Sequence, residues 1–124
     1  MTRDQLTILL HQIFSRRIAC SLDDVTRSVE RFVLEPVVWC GTVVGVLMRD
    51  GPEVHIEVDG AVHRRWATRK FFRGVLGPLI ERFGYASTTV CESNRRGMDF
   101  CRRIGFDEIG RENGIVKMIC KVTL

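Results

Sequence analysis

Residues 94–106 read Asn-Arg-Arg-Gly-Met-Asp-Phe-Cys-Arg-Arg-Ile-Gly-Phe. Asn94 suits a helix N-cap and Gly105 suits the position just after a helix, so this segment predicts a short helix. Strand-forming residues precede it at 86–91. Residues 107–111 and 115–122, joined by Asn-Gly, the preferred turn pair of a β-hairpin, follow it. The segment is therefore expected to connect a strand to a hairpin.

The N-terminal third predicts two helices. Thr2 begins a capping-box pattern, and apolar residues at helical spacing extend the first helix to about Arg17. Ser21 caps a second helix, whose buried stripe is expected to include Val33. Pro36 is expected to end that helix.

Three strands and a long helix are expected next. Residues 37–40 and 42–48 predict a hairpin buried on both faces, and Glu53–Val58 alternates apolar and charged side chains. From about residue 67 the chain has its strongest helical pattern, interrupted at Gly77-Pro78, where we expect a kink or two abutting helices. The element order α-α-β-β-β-α-β-α-β-β predicts an α+β fold.

Composition limits the classes of protein that the chain can represent. Its 124 residues, with 45% apolar and 27% charged residues, predict a single globular domain over 1–124. The net charge of +4, almost all from arginine, fits a phosphate-bearing ligand, a nucleic acid or an acidic protein surface. The five cysteines lack metal-site spacing, which predicts no metal and a reducing, cytoplasmic location. The longest apolar run, 37–48, is too short to span a membrane.

Two stretches resemble the GNAT superfamily of acetyl-CoA-dependent N-acetyltransferases. Residues 40–47, Cys-Gly-Thr-Val-Val-Gly-Val-Leu, are similar to the hairpin between the family's second and third strands. Residues 94–106 are similar to the family segment in which an Asn precedes Gly-Phe at the same spacing. With the element order, the resemblance covers about residues 37–122. It implies the GNAT-like acyl-CoA N-acyltransferase fold, a mixed twisted sheet of about six strands with helices on both faces.

The resemblance also implies where a site would lie. The sheet would open between Glu53–Val58 and the strand at 86–91, and the pyrophosphate of acetyl-CoA, or of another acyl-CoA, would lie at the start of the long helix. Glu57 or His55 would be the general base, and Cys101 stands where the family often has a general-acid tyrosine. The cofactor contacts implied are Val58, Arg64, Arg65, Ala67, Thr68, Arg69, Lys70 and Asn94.

Plainer interpretations stand beside these. Glu57 and His55 could be the polar face of a half-buried strand, the cations near the long helix a solvated helix start, and Asn94 simply an N-cap. Cys101 could be a small apolar residue on a helix face.

Two departures from the family pattern leave two functions open. The loop at 63–70 contains no glycine, and the tyrosine is replaced. The first expectation is an N-acetyltransferase acting on a small-molecule or protein amine. The second is a catalytically inactive GNAT-shaped phage structural or interaction protein, since short phage proteins of the internal-virion type look similar and share both departures. This second function would imply a homodimer or association with a phage virion protein. Nucleic-acid binding ranks last because aromatic residues do not interleave the cations.

Overall fold

The structure, a computed structural model, describes residues 1–60 and 64–122, the side chain of Arg64 excepted. The helices are α1 (Arg3–Ser15), α2 (Leu22–Ser28), α3 (Arg69–Phe83) and α4 (Arg95–Arg103). The strands are β1 (Val33–Trp39), β2 (Thr42–Asp50), β3 (Glu53–Val58), β4 (Ala86–Cys91), β5 (Asp107–Glu112) and β6 (Ile115–Cys120). A short 3₁₀ turn at Arg64–Trp66 precedes α3. The predicted order of helices and strands is confirmed.

The six strands form one mixed sheet in the order β1-β2-β3-β4-β6-β5. The pairs β1–β2, β4–β6 and β5–β6 are antiparallel. Strand β3 runs parallel to β4, with Glu53 opposite Ser87, and the Ser87 N–H donates to the Pro52 carbonyl over 2.8 Å. The α+β prediction with a mixed sheet of six strands is therefore confirmed.

The chain clusters into two compact units. The first comprises Met1–Asp50 and His55–Trp66. Helix α1 packs there on α2, β1 and β2, because its apolar stripe faces them. The core of this unit consists of Leu6, Leu10, Val25, Val29, Phe32, Val46 and Met48.

The second unit comprises Gly51–Val54 and Ala67–Leu124. Phe72 of α3 packs edge-to-face on Phe100 of α4, with ring centroids 5.5 Å apart. The hairpin of β5 and β6 turns at Asn113 and Gly114, both with positive φ, as the turn pair predicts. The buried apolar residues of this unit include Phe72, Leu76, Leu79, Ala86, Met98, Phe106, Val116, Met118 and Cys120.

The predicted boundary between α2 and the first strand is wrong. Val33 is not on a helix but begins β1, where it pairs with Arg49, and Pro36 lies inside that strand opposite Val46. A proline is compatible with this position because β1 is an edge strand, in which half of the N–H groups have no partner in the sheet. The prediction that the hairpin is buried on both faces holds for residues 44–48 of β2, whereas Val33 and Val38 of β1 are exposed.

Other boundaries differ less. Helix α1 ends at Ser15 rather than Arg17, and α3 begins at Arg69 after the N-cap Thr68. Helix α3 also runs continuously through Pro78, so two abutting helices are not formed there. Within the described residues, no helix combines the length and apolar character needed to cross a membrane.

Candidate functional site

Two ion pairs join the end of α1 to β3 and the residue that follows it. The Arg17 guanidinium lies 2.7 Å from a carboxylate oxygen of Glu57, and Arg16 pairs with Asp59. The two carboxylates are about one-quarter exposed, at 27% and 26%, whereas the two arginine side chains are more than half exposed. The acids therefore form the inner layer of this cluster and the guanidinium groups its outer layer. Glu57, a predicted general base, lies at the surface as an ion-paired carboxylate.

His55, the alternative base, lies on the same face of β3 as Glu57, because side chains two residues apart in a strand point the same way. Its half-buried ring meets Phe32 edge-to-face, with centroids 5.5 Å apart. The Arg31 guanidinium covers the same Phe32 ring at 4.1 Å from its centroid. The structure thus brings both predicted bases to one polar strip of β3, with Glu57 nearer the end of the strand.

The backbone at Val58 is placed by a close approach of two strands. A Cβ atom on Gly45 of β2 would lie 2.8 Å from the Val58 Cα atom, so only glycine fits there. The Asp59 N–H donates to the Val44 carbonyl over 2.9 Å and is occupied. Since successive N–H groups of a strand point to opposite edges, the Val58 N–H is directed away from β2. It is the donor at the end of β3 that an acyl oxygen could use.

The start of α3 carries the predicted phosphate contacts. Thr68 is the N-cap, and its hydroxyl accepts a hydrogen bond of 3.1 Å from the Phe71 N–H. The N–H groups of Arg69 and Lys70 in the first turn have no intrahelical partner, which is the property of a helix start that suits anions. The side chains of Arg65, Arg69 and Lys70 are exposed, and no acidic residue stands in the first turn. Two exposed cations, Arg69 and Lys70, therefore stand in the first turn of α3 itself.

Other predicted residues of the loop are placed as follows. Arg64 belongs to the 3₁₀ turn, but its side chain, like residues 61–63, lies outside what the structure describes. Ala67 is half-buried before the N-cap, and Trp66 is buried, with 9% of its surface exposed. Among the described side chains of the 3₁₀ turn, Arg65 is therefore exposed and Trp66 is buried.

Asn94 is the N-cap of α4. Its side-chain oxygen accepts a hydrogen bond of 3.0 Å from the Gly97 N–H, and a Cβ atom on Gly97 would lie 2.5 Å from the Asn94 Nδ2 atom. The interpretation of Asn94 as a cap is confirmed, and a contact with a cofactor remains a prediction.

Cys101 lies half-buried on α4, and burial raises the pKa of its thiol to about 11. The thiol is therefore neutral at physiological pH. It is a weaker acid than an ordinary tyrosine, whose pKa is about 10. Proton transfer from this thiol to a departing thiolate would be unfavourable, because an ordinary thiol has a lower pKa. In the described part of the chain, no group of three or more His, Cys, Asp or Glu side chains is arranged to hold a metal ion.

The arginines that bind Glu57 and Asp59 were not predicted as site residues. Arg16 and Arg17 stand 43 and 40 residues before their partners. Two adjacent arginines after a helix are ordinary in a sequence, since cations are favourable at helix C-termini. No local pattern indicates which acids they meet.

No protein-family model matches the chain, and no curated protein is similar to it in sequence. Solved structures are similar to it in fold. The ribosomal-protein-S18-alanine N-acetyltransferase of Escherichia coli matches with a TM-score of 0.70 and 17% identity, over 100% of this chain and 92% of its own. The chain has the GNAT acyltransferase fold.

Two further structures have this GNAT fold. The ribosomal-protein-alanine N-acetyltransferase of Brucella melitensis matches with a TM-score of 0.67 and 14% identity, over 98% of this chain and 97% of its own. An acetyltransferase of Bacillus subtilis in complex with CoA matches with a TM-score of 0.66 and 15% identity, over 98% of this chain and 94% of its own. At these identities the likeness establishes the fold and leaves the chemistry to be argued from the site.

Proposed function

We propose that the chain is an acyl-CoA-dependent N-acyltransferase that uses acetyl-CoA. The observation that carries the proposal is the end of β3. There, Gly45 lets the Val58 backbone approach β2 while the Val58 N–H points to the other edge, one residue after the Glu57 carboxylate. A fixed backbone donor beside a carboxylate is the pair of groups that amine acylation requires.

In the proposed reaction each group has one task. Acetyl-CoA supplies an acyl group activated as a thioester. The Val58 N–H donates a hydrogen bond to the thioester carbonyl oxygen, where negative charge develops as the amine attacks. Glu57 accepts the proton of the attacking amine, directly or through water, once Arg17 has been displaced from it. Because burial keeps the pKa of Cys101 near 11, solvent is the better proton source for the leaving thiolate.

The residues at the start of α3 fit a pyrophosphate in charge, although the loop lacks glycine. Arg65, Arg69 and Lys70 would hold the phosphates by their side chains, and the first-turn N–H groups of α3 would add backbone donors. Since side-chain contacts replace a backbone cradle, we expect affinity for acetyl-CoA to depend on these cations and on salt concentration.

Calorimetric titration with acetyl-CoA tests the proposal. We expect binding by the parent chain and a loss of affinity of at least about tenfold in R65A/R69A/K70A. The matched control is R82A/K117A/K121A, which removes three exposed cations elsewhere and should bind normally. Failure of the well-folded parent to bind would rule out the enzyme. Equal losses in the two triple variants would mean that only net charge matters.

A second candidate is a GNAT-shaped interaction protein without catalysis, of the phage structural type. The 2.7 Å pair between Arg17 and Glu57 favours it, because a carboxylate held by a guanidinium is not free to take a proton. This candidate predicts no acyl transfer to any amine, with or without acetyl-CoA binding. Acyl transfer that is abolished by E57Q would exclude it.

A further inference from the structure

The ion-paired cluster at the end of β3 has a composition that bears on the acceptor. Arg16 and Arg17 leave α1 side by side and pair with Asp59 and Glu57, so two cations and two anions meet. Both arginine side chains are more exposed than the acidic side chains with which they pair, at 56% and 53% against 26% and 27%. An incoming molecule therefore reaches the arginines first.

These pairs are exchangeable. Exposed ion pairs contribute little to stability, because water competes for both partners. The Arg17 guanidinium lies over the Phe14 ring, 5.7 Å from the ring centroid. This cation–π contact can hold the guanidinium when its carboxylate partner is lost. A ligand can thus replace one partner of a pair without unfolding the end of α1.

Charge balance selects among acceptors. An amine that approaches Glu57 as an ammonium group displaces Arg17 and leaves that guanidinium without its anion. A carboxylate on the same acceptor would pair with the released guanidinium in the bidentate geometry that arginine prefers. A polyamine would instead bring further cations next to the displaced Arg17 and to Arg16. Exchange with a molecule that carries one amine and one carboxylate leaves every charge paired.

We propose that Arg16 and Arg17 are specificity-determining residues that select, as acceptor, a small molecule bearing both an amine and a carboxylate. The proposal rests on the proposed acyltransferase function. The acceptor's carboxylate binds the arginines, its ammonium group loses one proton to solvent, and the neutral amine then attacks the thioester carbonyl carbon. The N–C bond forms, the C–S bond breaks, the amine proton passes to Glu57, and the leaving thiolate takes a proton from solvent.

The test compares amines with and without a carboxylate by following release of the CoA thiol. Glycine and β-alanine carry a carboxylate, methylamine and ethylamine lack one, and spermidine is a polycation. We expect the parent to have KM values for the amino acids at least about tenfold below those for the plain amines, the size of one charge-assisted hydrogen bond. Spermidine should be the poorest acceptor.

Variants assign this preference to the arginines. R16A/R17A should raise KM for glycine about tenfold or more and should not raise KM for methylamine, since no guanidinium then has to be displaced from Glu57. R16K/R17K keeps the charge and should restore part of the preference. The control R27A/R49A removes two arginines from other ion pairs of the same unit, with Asp23 and Glu35, and should keep the parental preference.

The outcomes separate the two proposals. A parent that binds acetyl-CoA but acylates plain amines as well as amino acids, or acylates neither, overturns the acceptor class and leaves cofactor binding intact. A parent that does not bind acetyl-CoA overturns the acyltransferase proposal and the acceptor class with it. Retention of the glycine preference in R16A/R17A overturns the role of the two arginines.

Discussion

Gly45 and Glu57 approach each other so closely that a Cβ atom on Gly45 would lie 2.3 Å from the Glu57 carbonyl oxygen. The neighbouring atom is backbone, which cannot rotate away as a side chain could. The same contact fixes the Val58 backbone and so positions the proposed acyl-oxygen donor. The close approach of β2 and β3 and the geometry of the proposed site therefore depend on glycine, which has no side chain, at position 45.

Replacement of this glycine should be costly. We expect G45A to lower the free energy of unfolding by about 3 kcal/mol, the upper end of the cost of overpacking, because the strands must separate. Urea denaturation measures the effect. The control is G74A, at an exposed position of α3 where nothing lies within 4 Å of the added Cβ atom. It should stabilise the protein by about 0.5–1 kcal/mol through helix propensity. Equal stability of G45A and the parent would contradict the close approach.

Arg3 should contribute strongly to the stability of the first unit. Its guanidinium donates to the Phe32 carbonyl over 2.6 Å and to the Val29 carbonyl over 2.8 Å, at the end of α2. We expect R3A to lower the free energy of unfolding by about 2 kcal/mol, since both part-buried carbonyls lose a charged donor. R27A, which removes an arginine from an exposed pair with Asp23, should change stability by less than about 0.5 kcal/mol. Similar values for the two variants would refute this role of Arg3.

Glu57 should be needed for turnover but not for cofactor binding. E57Q keeps the shape of the side chain and removes its basicity, so we expect kcat to fall about 100-fold or more. The affinity for acetyl-CoA, measured by calorimetry, should stay within about twofold of the parent because Glu57 is not a proposed phosphate contact. E112Q, at an exposed position of β5, is the matched control. Full activity of E57Q would move the role of base to another group, with His55 the next to test.

Cys101 should make the free energy of unfolding depend on pH in the alkaline range. Burial raises the pKa of its thiol from 9.0 to about 11. Between these values the unfolded chain loses the proton and the folded chain keeps it, so the contribution to stability is complete below pH 9.0 and is lost as the pH rises towards about 11. Urea denaturation across this window should therefore show a steeper decline for the parent than for C101A. Parallel declines would indicate that the thiol is solvated in the folded state.

Local patterns of the sequence determined most of the secondary structure. Thr2, Ser21, Thr68 and Asn94 each begin a helix, because a side-chain oxygen there satisfies an N–H that the helix leaves open. Strands β3 and β4 have the predicted bounds, since alternation and β-branched residues act over a few neighbours. The resemblance of residues 40–47 and 94–106 to GNAT segments predicted the fold, which the solved structures support.

Only the tertiary structure decided the rest. Val33 continues the apolar spacing of α2, yet it belongs to β1, where it pairs with Arg49 of β2. The hydrogen bonds between the two strands outweigh a local helical preference. The charged neighbours of the proposed base were equally inaccessible to sequence reasoning. Arg17 meets Glu57 across 40 residues of chain, and no period or motif encodes such a pair. Hydrophobic spacing acts within an element, whereas an ion pair forms only after packing has brought two elements together.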